Sequence, residues 1–454
     1  MKLISALLLL VSWVTAGERP NFLVIFTDDQ CFRSIGYHNH QVKTPNLNRL
    51  AAEGMILKNT YVASPICAAS RASVMTGLYP QQHGVVALNT TPFDAFRNDG
   101  PRSSQTLANR LTEAGYHCAF AGKSHLGDPQ TYGFAEGQES RHPRDIDAFA
   151  DATKFIEKAA SLEKSFFLWL APRQPHVPLI PGDEWLGLYD EKAIKLDPNF
   201  REAPIRDAIY NQGKAGEHYY RDSKYTNNWR KLSAGPPRSE DVMKQFIKAY
   251  YATISHLDHQ VGMLIHRLDE LGMGDDTLII YLSDNGYHLG NHGLGNKITM
   301  HEESVRVPMW LRWKGTIQAN QESSALVSSL DVYATLLDYA GVRTEKDWAE
   351  SRSMKSLCED PSIQHRLAVY SECTGVGGGK GEGHRMIRMQ EWKLILNDQN
   401  QWHFHDILRD PYELRNLYDK GDAPSKVRWQ TLQAPLHGWM KRIGDRRIPA
   451  KLLQ

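Results

Sequence analysis

The chain has 454 residues, 41% hydrophobic and 23% charged, which excludes a fibrous, collagen-like or wholly disordered protein. Lys plus Arg number 53 against 52 Asp plus Glu, so the net charge of +1 offers no electrostatic case for nucleic acid. The length suits two or three domains, or one large domain with a smaller partner.

Lys2 precedes an apolar run from Leu3 to Val14, and Val14-Thr15-Ala16 has the small-x-small form of a signal-peptidase site. The run falls short of the ~20 apolar residues a membrane span needs. Residues 1–16 therefore read as a signal peptide, and the protein as exported, periplasmic or secreted, with no membrane span. Cys31, Cys67, Cys118, Cys358 and Cys373 follow, an odd number that leaves one thiol without an internal partner.

Asn21–Thr27 is a nearly continuous apolar run, the pattern of a strand buried on both faces. Thr44 and Pro45 open a helix with Leu47, Leu50 and Ala51 on one face, stopped at Gly54. Further strands are predicted at Tyr116–Ala121, Ser165–Leu170, Leu278–Leu282 and Pro308–Arg312. A long amphipathic helix is predicted from about Asp241 to Leu271, burying Phe246, Tyr250, Ile254, Leu257, Val261, Leu264 and Leu268, with Gly272 as its stop. This alternation predicts an α/β fold, a large mainly parallel sheet flanked by helices, over residues 17–340. Residues 180–240 break the rhythm and read as an insertion that shapes a binding site. Beyond Ala340 the alternation fades, and residues 341–454 read as a smaller C-terminal α+β subdomain. The glycine-rich run 375–383 fails as a phosphate loop, because Lys380 is followed by Gly381.

The chemistry gathers where the strands end. Asp28-Asp29 follows the first strand, Lys123-Ser124-His125 the second, His176 the third and Asp284-Asn285 the fourth. In open α/β sheets, ligands bind outside these carboxyl ends. Asp28, Asp29, Asp284 and an Asn285 carbonyl form an all-oxygen set suited to Ca²⁺, with Mg²⁺ second, rather than to zinc. Lys123, His125 and His176 suit an anionic substrate better than a hard cation.

The segment Ser64-Pro65-Ile66-Cys67-Ala68-Ala69-Ser70-Arg71 resembles the C-x-[P/A]-x-R signature of the type I sulfatases, of the alkaline-phosphatase-like superfamily. The resemblance extends through Thr27-Asp28-Asp29-Gln30, Gly122-Lys123-Ser124-His125, Ser283-Asp284-Asn285-Gly286, Gly295-Asn296-Lys297, the run 303–308 and the run 410–417. It implies oxidation of Cys67 to Cα-formylglycine by a maturation enzyme during export, which would leave four thiols. It also implies that a hydrated aldehyde at position 67 and the cation act on a sulfate ester. Lys123 and Lys297 would hold the sulfate oxygens, and His176, also at the sulfate, would protonate the leaving oxygen. His125 would deprotonate the second hydroxyl, and Arg71 would orient the hydrate. Cys67, Asp28, Asp29, Asp284 and Asn285 are the implied metal residues. Ala69 stands where most members have Pro, and Ser124 where most have Trp, which suggests a roomier cleft.

Sulfate ester hydrolysis is the leading function, on a sulfated poly- or oligosaccharide. Tyr189, Tyr210, Tyr219, Tyr220, Tyr225 and Trp229, interspersed with charge, would meet the sugar faces. The alternatives are a small aryl sulfate, a phosphate or phosphonate ester hydrolase, and a non-catalytic glycan-binding relative that keeps Cys67 as a thiol.

Overall fold

The computed structural model describes residues 19–88, 93–140, 142–162, 164–202, 239–343, 350–374, 383–397, 400–418 and 423–445. The leader 1–16, the insertion aromatics from Tyr210 to Trp229 and the glycine run 375–382 lie outside the described residues.

The large sheet is built from β1 (Asn21–Thr27), β2 (Met55–Tyr61), β3 (His117–Gly122), β4 (Glu136–Glu139), β5 (Phe166–Ala171), β6 (Thr277–Ser283), β7 (Arg306–Val307), β8 (Met309–Arg312) and β9 (Gln321–Ser328). Its spatial order is β4-β3-β5-β1-β6-β8-β2-β7, with β9 beside β2. Pairing is parallel from β4 through β6 and between β2 and β9; β8 runs antiparallel to both β6 and β2. The expected mainly parallel sheet is thus present, with an antiparallel insertion at β7–β8.

β1 explains why its run is continuous. Phe22, Val24 and Phe26 face one hydrophobic cluster while Leu23 and Ile25 face another, so alternate residues on both faces are buried. The long helix spans Glu240–Glu270, begins at Ser239, whose hydroxyl accepts from the Val242 N–H, and ends before Gly272 at φ 73°. All seven expected stripe residues are buried. Its C-terminal half packs on the sheet through Leu257, Val261, Leu264 and Leu268, and its N-terminal half joins a separate cluster with Tyr189 and Tyr287.

Two local expectations fail for identifiable reasons. Thr44 does not cap its helix: its hydroxyl accepts from the Gly36 N–H at 2.8 Å and donates to Asn48 Oδ1 at 3.0 Å. Gly54 is required by close approach rather than by a helix stop, since a Cβ there would lie 2.0 Å from the Leu311 carbonyl oxygen of β8. The helix itself ends at Ala52.

A second, antiparallel sheet runs in the order β10 (Val369–Cys373), β11 (His384–Met389), β12 (Trp392–Asn397) and β13 (Trp402–Asp406). One face packs on Tyr61, Ile66 and Val305 of the larger body; the other is covered by Leu432, Leu436 and Trp439 of the helix Ala423–Arg442. The seam is ionic: Glu302 and Glu413 share Lys393 at 3.0 and 2.8 Å, and Glu413 also accepts from the Glu302 N–H. Val305 and Val307 of the run 303–308 and Glu413 of the run 410–417 thus take part in this junction.

Candidate active site

β3, β5, β1 and β6 lie side by side and parallel, so their carboxyl ends open on one edge. There the chain forms a cavity of about 440 Å³ whose lining includes Asp29, Cys67, Lys123, His125, His176 and Lys297. The helix Cys67–Thr76 points its N-terminus at the same place, and no side chain caps it. Its first N–H groups and positive dipole end are thus available to an anion.

The side chains interlock. Cys67 Sγ lies 3.3 Å from Asp28 Oδ1, and Lys297 Nζ donates to it at 2.9 Å. Lys123 is paired with Asp28, and Lys297 with Asp29. Asp284 receives Arg71 Nε at 2.9 Å and the Asp29 N–H at 3.2 Å. Asn285 Nδ2 donates to Asp29 Oδ1 at 2.6 Å, while its Oδ1 is buried without a hydrogen-bond partner among the described residues. Three fully buried carboxylates and an unclaimed amide oxygen are a donor set that fits a hard divalent cation. Asp28, Asp29, Cys67 and His176 each offer a ligating atom within one small cluster.

Charge pairing sets the electrostatics. Burial acts to raise the Asp28 carboxyl, but Lys123, His176, Lys297 and Arg71 hold it well below its ordinary range. Asp284 is pushed up to about 7 by burial and by the adjacent Asp28 charge. Burial and the Asp28 and Asp284 carboxylates push the Cys67 thiol far up, so the thiol stays protonated at neutral pH. Burial and Lys123 lower His176 to about 4 against the opposing pull of Asp28 and Asp29. Its Nδ1 donates to the Val177 carbonyl at 2.5 Å, which leaves Nε2 toward the cavity, 3.8 Å from Asp29 Oδ2. His125, exposed at the rim, is held below the ordinary histidine range by the surrounding protein and by Lys123.

The backbone is strained where it positions these groups. Asp29, His125 and Ile298 adopt φ of 65°, 60° and 80°. Such angles cost about 1–3 kcal/mol for residues with a Cβ and concentrate at functional sites. For the β-branched Ile298, next to Lys297, the angle is a clear outlier.

Arg71 is held by Asp284 and by the Lys123 carbonyl, which accepts from Nη1 at 2.8 Å, and so braces the carboxylates. Ser124 is not among the cavity-lining residues: its hydroxyl donates to the Gly127 carbonyl at 2.6 Å and bonds Tyr132 at 2.8 Å. Tyr189 is buried, with its hydroxyl spent on the Lys43 N–H and Ser255, so it packs the insertion rather than facing a sugar. The five cysteines are all buried and unbridged, so the odd-thiol argument for Cys67 loses its force. Asp145 and Arg173 carry no signal in the sequence, Tyr250 is marked there only as a core residue, and Asn296 only through the family resemblance. Asp145 accepts the Arg173 and Gln174 N–H groups at 2.8 and 2.9 Å, and Tyr250 donates to the Asp29 carbonyl at 2.5 Å. Arg173 and Asn296 line the cavity.

The sulfatase family model matches residues 20–342, and the model for the C-terminal part of N-sulphoglucosamine sulphohydrolase matches residues 290–440. An N-acetylglucosamine-6-O-sulfatase of Bacteroides thetaiotaomicron is 26% identical over 90% of this chain and 84% of its own. An ulvan-active sulfatase of Formosa agariphila is 26% identical over 94% and 81%. A protein solved in complex with its substrate D-glucosamine-2-N,6-O-disulfate superposes with a TM-score of 0.78 at 24% identity, covering 94% of this chain and 99% of that one.

Proposed function

The chain belongs to the sulfatase family, which makes it a sulfuric ester hydrolase, and from that premise we propose an exported enzyme that removes sulfate from a sulfated poly- or oligosaccharide. The observation that carries the reading is Cys67 at an uncapped helix N-terminus, in contact with Asp28 and Lys297. No helix among the described residues is long and apolar enough to cross a membrane. Export rests on the leader-like residues 1–16.

Conversion of Cys67 to Cα-formylglycine would supply a hydrated aldehyde nucleophile, and a bound divalent cation, Ca²⁺ in this reading, would supply positive charge for an anionic ester. Asp28, Asp29, Asp284 and Asn285 would hold the cation. Lys123 and Lys297 would present positive charge to the sulfate, offsetting the negative charge that builds as the S–O bond breaks. His176 protonates the leaving oxygen from Nε2; a bound sulfate ester adds the anionic charge that favours its protonated form. His125, neutral at the rim, accepts a proton from the nucleophilic position. Arg71 would hold Asp284 in place and oppose the upward push of burial and Asp28 on its carboxyl.

The glycan reading draws on relatives whose names specify sulfated saccharides. It also draws on the cavity wall of Ile66, Leu88, Val177, Pro178 and Ile298, an aliphatic surface for the C–H faces of a pyranose. Matched sulfate and phosphate esters, together with a panel of sulfated saccharides and aryl sulfates, test it. The expected order is sulfated saccharide above aryl sulfate above phosphate ester. Faster turnover of the phosphate ester, or of an aryl sulfate over every glycan, would overturn the assignment.

A further inference from the structure

Three of the four cationic side chains lining or bracing the cavity are already matched to a carboxylate: Lys123 with Asp28, Lys297 with Asp29 and Arg71 with Asp284. Arg173 is the fourth. It lines the same cavity and is half-buried, and its guanidinium has no hydrogen-bond or ion-pair partner among the described residues. Asp145 feels the Arg173 charge, but both of its carboxylate oxygens already accept N–H groups, one from Arg173 and one from Gln174.

The placement of Arg173 is fixed by its backbone. Its N–H is held by Asp145, and its carbonyl accepts the His176 N–H at 2.7 Å in a tight turn. Arg173 and His176 therefore form one rigid rim. A group that protonates the leaving oxygen marks the side on which the sugar lies. Arg173, on the His176 loop, is thus placed on the sugar's side of the scissile bond.

We propose that Arg173 forms a subsite for a second anionic substituent of the sugar, a sulfate or a uronate carboxylate, so that the preferred substrate is multiply charged. This rests on the sulfatase reading. A planar guanidinium with free N–H groups binds either oxyanion through paired charge-assisted hydrogen bonds. Its half-buried setting strengthens such a contact over one in open water.

Binding can be measured without turnover in calcium-loaded Cys67→Ala protein. The calorimetric titrants are a hexosamine monosulfate, the same sugar with two sulfates, and a disaccharide pairing the monosulfated unit with a uronate. We expect at least one doubly charged ligand to bind about tenfold or more tighter than the monosulfate, with the difference abolished in Cys67→Ala/Arg173→Ala. Which ligand gains identifies sulfate or carboxylate as the group recognised. An equal Kd for all three, or a preference that survives Arg173→Ala, overturns the proposal. Sulfate release from the monosulfate by the unsubstituted enzyme separately tests the sulfatase reading.

Discussion

Tyr250 links the core to the site, and its hydroxyl can be removed without opening a cavity. It donates to the Asp29 carbonyl at 2.5 Å and accepts the Cys31 N–H at 3.2 Å, bridging the left-handed turn that aims the Asp29 carboxylate. Tyr250→Phe keeps the ring but leaves two buried backbone groups without their partner. At about 1–3 kcal/mol for each such group, partly relieved by relaxation, the expected cost is about 2–4 kcal/mol of stability. Because Asp29 loses its brace, calcium affinity should fall about 10–100-fold, the usual effect of removing a hydrogen bond that orients a ligand. Urea unfolding, with and without calcium, gives the first quantity; a calcium titration of the thermal midpoint gives the second. An unfolding midpoint and calcium affinity both equal to those of the parent would refute the reasoning.

Asp284→Ala should reduce turnover and calcium-dependent stabilisation more than Asn285→Ala, because it removes a charge and frees Arg71; undiminished turnover would show the cation site is elsewhere. Gly286→Ala should destabilise the Asn285 loop and cut activity, since its Cβ would meet the Glu303 carbonyl oxygen at 1.9 Å; unchanged melting and kinetics would contradict this. Asp331 is buried against Arg366, whose Nε donates at 2.8 Å, and against His365 at 3.0 Å. Burial acts to raise its carboxyl, but the Arg366 charge holds it below its ordinary range. The stability it contributes is therefore complete above its unfolded pKa, near 4, and is lost as pH falls through the lower folded value. Asp331→Ala should cost about 3–5 kcal/mol at pH 7 and less in acid; a loss independent of pH would refute the pairing.

The sequence was most informative where local pattern and position coincide. Buried strands are legible as apolar runs, and polar residues immediately after them fall at the carboxyl edge of a parallel sheet. Asp28, Lys123, His176 and Asp284 were legible for that reason. Lys297 lies in an irregular loop without periodicity, and only the family resemblance singled it out. Tyr250 was legible as a core residue but not as the donor to Asp29, because a helical stripe fixes a face and not a hydrogen-bond partner. Asp145 and Arg173 depend on a turn and on loop contacts far apart in sequence. Thr44 and Gly54 show the same limit: each residue type suggested a helix boundary, while tertiary neighbours took the hydroxyl and demanded the missing Cβ. Cysteine parity misled because burial, and not pairing, accounts for all five thiols.

The most direct test couples the mass of the Cys67 peptide to sulfate release from the same preparations. Conversion to formylglycine removes one sulfur and two hydrogens and adds one oxygen. The expected result is sulfate release in proportion to the converted fraction, with none from Cys67→Ala. Full turnover by protein whose Cys67 remains a thiol would contradict the account.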